Sequence, residues 1–278
     1  MVPVYIDRVS YVDGSSLKDL PLASLIGNPN MLRRMSRLIR MGVAAGLMCL
    51  DGLSPDEVDA IVTATSLGGL EDTGKFLEEI SSRNESSLNP TPFMRSTFNT
   101  VGAQIALLKG IRAYNVTYVH RGLSLESALT DAMLQIAEGR RNVLAGAFDE
   151  ITPESHAVKE RLGFSRKGWT DSEGAGFMLL CSEPSESTLA ELCGLRTWRG
   201  TMDADGAGDA VRSFLGEHGL GMSDVTFFSP ETAGCSWTGS AGRICGAAGA
   251  VGDAGTGYVA VYSCSTGMYH SAVLLRRP

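Results

Sequence analysis

An α/β fold is predicted by three features of this 278-residue sequence. Apolar, β-branched runs alternate with segments of helical period along the whole chain. The run NVLAGAF, Asn142 to Phe148, is continuously apolar, as a strand covered on both faces must be. The 33 glycines against 10 prolines supply tight turns and close backbone approaches without a collagen-like repeat. At 44% hydrophobic and 20% charged, the chain can bury a large core, and disorder is excluded. The six cysteines form no CxxC pair and read as packing thiols, so neither a disulfide framework nor a metal site is expected. A net charge of −7 argues against non-specific nucleic-acid binding. MVPVYIDRVS lacks the apolar core of a signal peptide, and the best apolar run, Met41 to Leu50, is too short to span a membrane. A cytoplasmic protein is expected.

Val4 to Ile6 opens as a short strand, and Asn30 can cap a helix running to Leu50, with Leu32, Met35, Ile39, Val43 and Leu47 at helical spacing. Val58 to Thr65 is β-branched and reads as a strand. Leu70 to Ser82 reads as a helix, Pro90 and Pro92 break the chain, and Met94 to Gly110 is helical again. Tyr114 to His120 is a strand that meets a helix, Leu123 to Glu138, after a short turn; Asn142 to Phe148 follows as a strand. A long polar segment, Asp149 to Glu173, leads to a strand from Gly176 to Cys181. The second part has strands at Leu189 to Trp198 and Val225 to Ser229, with a helix at Asp209 to His218 between them. A Gly/Ala-rich helix, Gly242 to Val251, and strands at Tyr258 to Ser263 and Ser271 to Leu275 complete it. Both parts end as helix, strand, connection, strand, which suggests two structural duplicates, residues 1–185 and 186–278, packed as one unit.

The informative junction is YNVTYVHRGLSLESALTDAMLQIAEGRRNVLAGAFDE, residues 114 to 150. A strand entering a helix through a tight turn exposes one side chain at the helix N-terminus, where the dipole and free N–H groups stabilise an anion. This stretch resembles the active-site segment of β-ketoacyl synthases of the thiolase superfamily. Collinear support comes from PFMRSTFNTVGAQIALLKG before it and from DSEGAGFMLL, GRICGAAGA and YSCSTGMYHSAVLL after it. The resemblance implies a thiolase-like fold of two duplicated halves in αβαβα layers, here with a shortened second half. It also implies a dimer whose elbow strand, YNVTYVH, pairs across the two-fold axis.

Condensing members need an elbow cysteine to hold an acyl thioester and two histidines to decarboxylate the malonyl donor. Gly122 aligns with that cysteine; the first histidine falls near Pro230 or Glu231 and the second at Arg243. No Cys-His-His set can be assembled. The resemblance therefore implies a degenerate homologue of the chain-length-factor kind, closest to those of aryl polyene (flexirubin-type) pigment clusters. Such a subunit supports elongation on acyl carrier protein by a partner ketosynthase. Two other readings stand beside it: an acyltransferase or decarboxylase working without cysteine, and a non-catalytic acyl-binding homodimer. No cofactor is implied.

Around the elbow, His120 and Arg121 read either as a polar plug or partner contact, or as an interface hydrogen bond; Ser124 reads as capping or packing. Arg243 could hold an anion or make an internal salt bridge. Arg33, Arg37 and Arg40, at helical spacing, could receive an acidic carrier protein or simply be solvated. The resemblance places Phe93, Met94 and Phe98 at the far end of an acyl tunnel; plain core packing is the alternative. His270 and Glu173 read as structural.

Overall fold

Asn142–Asp149 and Gly174–Cys181 are apolar on both faces because helices cover both faces of the sheet they enter. The computed structural model of the chain describes residues 2–164, 172–228 and 239–278. Its strands are β1 (Tyr5–Asp13), β2 (Ala60–Ala64), β3 (Tyr114–Tyr118), β4 (Asn142–Asp149), β5 (Gly174–Cys181), β6 (Ala190–Arg199), β7 (Thr226–Phe227), β8 (Tyr258–Ser265) and β9 (Tyr269–Arg276). The helices are α1 (Leu22–Ile26), α2 (Pro29–Arg34), α3 (Arg37–Cys49), α4 (Leu70–Ser82), α5 (Pro90–Ser96), α6 (Thr100–Lys109), α7 (Ser124–Ala137), α8 (Pro153–Arg161), α9 (Ala204–Glu217) and α10 (Gly239–Ala250).

The strands order as β3-β2-β4-β5-β1-β6-β9-β8-β7. In the first half β2 runs parallel to β3 and β4, while β5 is antiparallel to β4 and β1. The second half repeats this: β7 is parallel to β8, and β9 is antiparallel to β8 and β6. Among the described residues it has no counterpart of β3, which is how it is shortened. The halves meet where β1 pairs with β6 over Tyr5↔Glu191 and Ile6↔Ala190.

Alternation along each strand builds the layers. On β4, Val143, Ala145 and Ala147 face a central core, whereas Leu144 and Phe148 face an outer one. The central core takes α7 and α10 between the strands of both halves. One outer core holds α3 and α6 against the first half; the other holds α9 against β8 and β9. The αβαβα layering is thus present. The helices α3 and α6 approach closely because Gly42 and Gly46 leave room: a Cβ at Gly42 would lie 2.7 Å from Val101 Cγ1, and one at Gly46 would lie 2.4 Å from Ile105 Cδ1.

Several boundaries differ from the sequence expectations. No single helix runs from Asn30 to Leu50. Asn28, not Asn30, caps α2 by accepting from the Asn30 and Met31 backbone N–H groups, and the chain is extended at Met35 and Ser36 before α3. Pro90 does not break a helix but occupies the first turn of α5, where its missing N–H is harmless. The segment from Met94 to Gly110 is divided, since Thr97 is extended between α5 and α6. The strand β1 extends to Asp13, with buried Val12 facing the first-half outer core. The polar stretch 149–173 contains α8, whose N-cap Thr152 accepts from Ser155 N. Of the strand expected at Val225 to Ser229, Thr226–Phe227 is formed, and Ser229 lies outside the described residues.

Candidate functional site

The elbow follows β3. The backbone turns at Arg121, which has φ +50°, a left-handed conformation that costs a non-glycine residue strain. Local hydroxyls hold it there. Ser124 Oγ donates to the Arg121 carbonyl at 2.7 Å and accepts from His120 N at 2.8 Å, and Ser66 Oγ donates to the same carbonyl. Ser124, at the start of α7, is completely buried, in keeping with capping and packing. The His120 ring lies 3.0 Å, through Nδ1, from Ser127 Oγ. The His120 and Arg121 side chains are exposed beside the free edge of β3.

Gly122 is buried. A Cβ built on it would lie 2.8 Å from both Cβ and Oγ of Ser265 and 3.0 Å from Tyr269 Cβ, so no side chain fits there without movement. Behind it lies a cavity of about 10 Å³, lined among others by Glu126, Ser240, Arg243, Cys264 and Ser265. Arg243 and Gly122 are thus neighbours, whereas Pro230 and Glu231 lie outside the described residues.

None of the four histidines lines this cavity. His270 is buried on β9: its Nε2 reaches Gly200 O at 2.9 Å and its Nδ1 lies 2.6 Å from Tyr262 Oη. Because a carbonyl only accepts, Nε2 carries the proton of that hydrogen bond. Burial pushes the Tyr262 hydroxyl up to about 12.

Two cavity residues escaped the sequence reading. Cys264 brings a thiol to the site, but burial raises its pKa, with Gly267 N–H and Arg243 opposing only in part. Among the described residues that line the cavity there is no histidine to activate it. Glu126, 1% exposed, accepts from Ser271 Oγ at 2.8 Å, while its other oxygen has no hydrogen-bond partner. The signal was there: Glu126 shares the buried face of α7 with Leu129, Ala132 and Ile136.

Burial raises the Glu126 carboxyl above its usual 4.5, against the lowering effect of the Ser271 and Ser240 hydroxyls. The folded chain therefore keeps a proton that the unfolded chain gives up. This stabilisation is complete below pH 4.5 and is lost as pH rises through the folded-state value. Glu150, pushed up to about 7 by burial and by Glu71, Asp72 and Glu173, contributes with the same sign. Glu126→Gln is expected to melt at a higher temperature than the wild type near neutral pH, with the gap closing in acid. Parallel melting curves across that range would show Glu126 to be ionised in the fold.

The other candidates lie apart from the cavity. Arg33, Arg37 and Arg40 do not share one helix: Arg33 is on α2, bonded to Asn30 Oδ1, and the other two are on α3. Arg37 is ion-paired with Glu173, which also accepts from Ile151 N, so Glu173 ties α3 to the entry of β5. Arg40 is half-buried. No single helix carries the three arginines, because the chain is extended at Met35 and Ser36 between α2 and α3. Phe93, Met94 and Phe98 are 54%, 58% and 48% exposed, which rules out plain core packing. The Phe93 ring lies 5.2 Å from that of Phe76, and Phe98 lies over Gly68.

Among the described residues no group of acids, histidines and cysteines could hold a metal ion, and no helix is long and apolar enough to cross a membrane. Duplicated halves in five layers, with a strand-to-helix elbow facing the second half, define the thiolase-like class of acyl-condensing folds. Residues 18–181 match the profile of the beta-ketoacyl synthase N-terminal domain, and the chain belongs to the beta-ketoacyl synthase family. No curated protein matches the sequence. Solved structures of similar fold include the ishigamide ketosynthase/chain length factor, at 16% identity and TM-score 0.74 over 99% of each chain. A type II polyketide acyl-carrier protein in complex with its ketosynthase matches at 17% identity and TM-score 0.75 over 100% of both chains. The ketosynthase ApeO in complex with its chain length factor ApeC, from Xenorhabdus doucetiae, matches at 13% and TM-score 0.68 over 99% of this chain and 98% of that one. At these identities the likeness establishes the fold.

Proposed function

We propose that this chain is a non-condensing β-ketoacyl synthase homologue, a chain-length-factor-like subunit. It would pair with a competent ketosynthase and support its elongation of an acyl chain, of aryl polyene type, on acyl carrier protein in the cytoplasm. The observation that carries this reading is the elbow: the turn is kept and Ser265 and Tyr269 fill the space beyond Gly122, where a thioester-forming side chain would stand. The likeness to solved ketosynthase and chain length factor complexes supports it.

The partner surface follows from the sheet. The strand β3 is an edge, bonded to β2 alone among the described strands, and an open edge invites another strand. His120 and Arg121 flank that edge, and the exposed Phe93, Met94 and Phe98 are read as the tunnel-end face that a partner would cover.

Co-expression with a ketosynthase that keeps its cysteine should yield a 1:1 complex, and this chain alone should form no acyl-enzyme with an acyl carrier thioester. A labelled acyl adduct on the isolated chain would end the reading; a self-sufficient homodimer carrying fatty acid would replace it with the acyl-binding one. Val119 follows β3 and is 44% exposed. Val119→Lys should leave the melting temperature unchanged and weaken the complex about tenfold or more, because a desolvated lysine opposes edge pairing. Scanning calorimetry measures the first and titration calorimetry the second.

A further inference from the structure

The open edge of β3 carries like charge at both ends. At its N-terminal end Arg112, Arg140 and Arg141 line one groove of about 350 Å³. The Arg140 guanidinium lies over the Tyr114 ring, 5.0 Å from its centre, and Tyr114 is the first residue of the strand. At the C-terminal end stand the exposed His120 and Arg121. No ion pair among the described residues involves any of these four arginines. Asp56 and Asp59 share the groove wall and offset part of its charge, but Asp59 Oδ2 is taken up by the Arg141 and Asn142 N–H groups, at 2.7 and 3.1 Å. Asp131 is buried and accepts from Tyr114 Oη and Gln135 Nε2. The helices packed on β3, α6 and α7, leave Leu107 and Leu134 68% and 56% exposed. A basic edge is thus set in a chain whose net charge is −7.

We propose that these charges choose the partner: the β3 edge rejects a second copy of this chain and takes the edge strand of a different chain that carries acidic side chains at both its ends. The inference rests on the reading given above, in which β3 is the pairing edge and the partner a ketosynthase. Antiparallel pairing lays the N-terminal end of one strand against the C-terminal end of the other. Between two copies that brings the arginine groove against Arg121 twice, once at each end. With Val116 opposite itself on a two-fold axis, Arg112 stands opposite His120, and Ile111 opposite Arg121. Sliding the register by a residue or two keeps cation near cation, because both ends carry the same sign. Parallel pairing sets Arg112 against Arg112 and fares no better. Like charges in a closing interface lose their water and gain no partner. An edge with a glutamate or aspartate at each end meets the reverse condition, since each acid finds a guanidinium that no acid of its own chain occupies. The groove beside Arg112 has room for such a side chain.

Sedimentation velocity of the isolated full chain, wild type against Arg112→Glu, tests the rejection without any partner. The substitution makes the edge self-complementary, because it sets an acid towards Arg121 at both ends of a paired edge. The wild type should be monomeric at about 50 μM in low salt. Arg112→Glu should self-associate at least about tenfold more tightly, and about 0.5 M sodium chloride should reduce that gain. Binding to a co-expressed ketosynthase that keeps its cysteine should move the other way, weakening about tenfold or more in Arg112→Glu. Arg112 is exposed, and circular dichroism shows whether the variant is folded; should it not fold, Arg121→Glu makes the same test from the other end of the edge. The proposal is overturned if Arg112→Glu is as monomeric as the wild type, or if the wild type is a dimer that Arg112→Glu does not tighten. It is equally overturned if the ketosynthase complex is indifferent to the substitution. A wild type that forms no ketosynthase complex would instead remove the function proposed above, and the self-association of the two chains would still decide whether the edge rejects its own copy.

Discussion

Gly122→Cys is expected to yield a chain that is less stable than the wild type by about 1–3 kcal/mol and still forms no acyl-enzyme. Restoring the missing sulfur does not restore the enzyme, because the space is taken. The added Cβ falls 2.8 Å from Ser265 Cβ and Oγ and 3.0 Å from Tyr269 Cβ, and both neighbours sit on β-strands that cannot retreat independently of the sheet. Even a cysteine admitted by local adjustment would face no histidine among the described residues that line the cavity, and the carboxyl there, that of Glu126, is held towards its neutral form by burial. Such a cysteine is a buried thiol with a raised pKa, the condition already seen at Cys264. A second variant separates packing from chemistry: Gly122→Cys with Ser265→Gly should recover much of the lost stability and still stay unacylated. Urea unfolding and intact mass after incubation with an acyl carrier thioester measure the two effects. An acyl adduct on the single variant would show that the surroundings of the elbow still support a nucleophile, and that the missing sulfur alone, not the filled space, keeps the wild type unacylated.

The parts of the fold that were legible in the sequence are those where one residue pattern has one solution. Val143 to Phe148 is apolar at consecutive positions, as is typical of a strand buried on both faces, and β4 is one. The helix α4 came out with its expected ends because Gly69 precedes an amphipathic run. What failed was the join between elements. Leu32, Met35, Ile39 and Val43 keep a helical phase across Ser36, where the backbone is extended, since two short helices packed on one core share its periodicity. The same break puts Arg33 on α2 and Arg37 and Arg40 on α3, so no one helix carries the three arginines. At the site, Gly122 and Arg243 line one cavity. Glu126 was passed over because an acid in a helix normally faces water. Its burial depends on Ser271, which lies on β9 and is remote in sequence.

Asp149 and Glu150 carry the same lesson at larger scale, since acids that end an apolar strand look like its exit to solvent. They are instead 2% and 5% exposed. Asp149 accepts from Thr65 Oγ1 at 2.8 Å, from Ser66 N at 3.0 Å and from Leu67 N at 3.3 Å, while Glu150 accepts from Glu71 N at 3.0 Å. One carboxylate thus closes the turn between β2 and α4, and Thr65 and Ser66 are themselves buried. Removing it leaves several buried donors without acceptors. Asp149→Ala is accordingly expected to cost about 3–5 kcal/mol in urea unfolding, among the largest single-residue effects in the chain. Asp149→Asn, which keeps one acceptor oxygen, should cost less. The damage should travel further than the turn. Ser66 Oγ donates to the carbonyl of Arg121, so the Asp149 carboxylate positions a hydroxyl that helps hold the left-handed elbow residue in place. Amide exchange in Asp149→Asn should therefore quicken at Leu67 and Gly68, and also at Leu123 and Ser124 across the elbow, while the exchange of α9 stays as it was. Faster exchange confined to the β2–α4 turn would show that the elbow is self-supporting through Ser124 alone. A loss below about 1 kcal/mol in Asp149→Ala would show that the turn does not need its carboxylate.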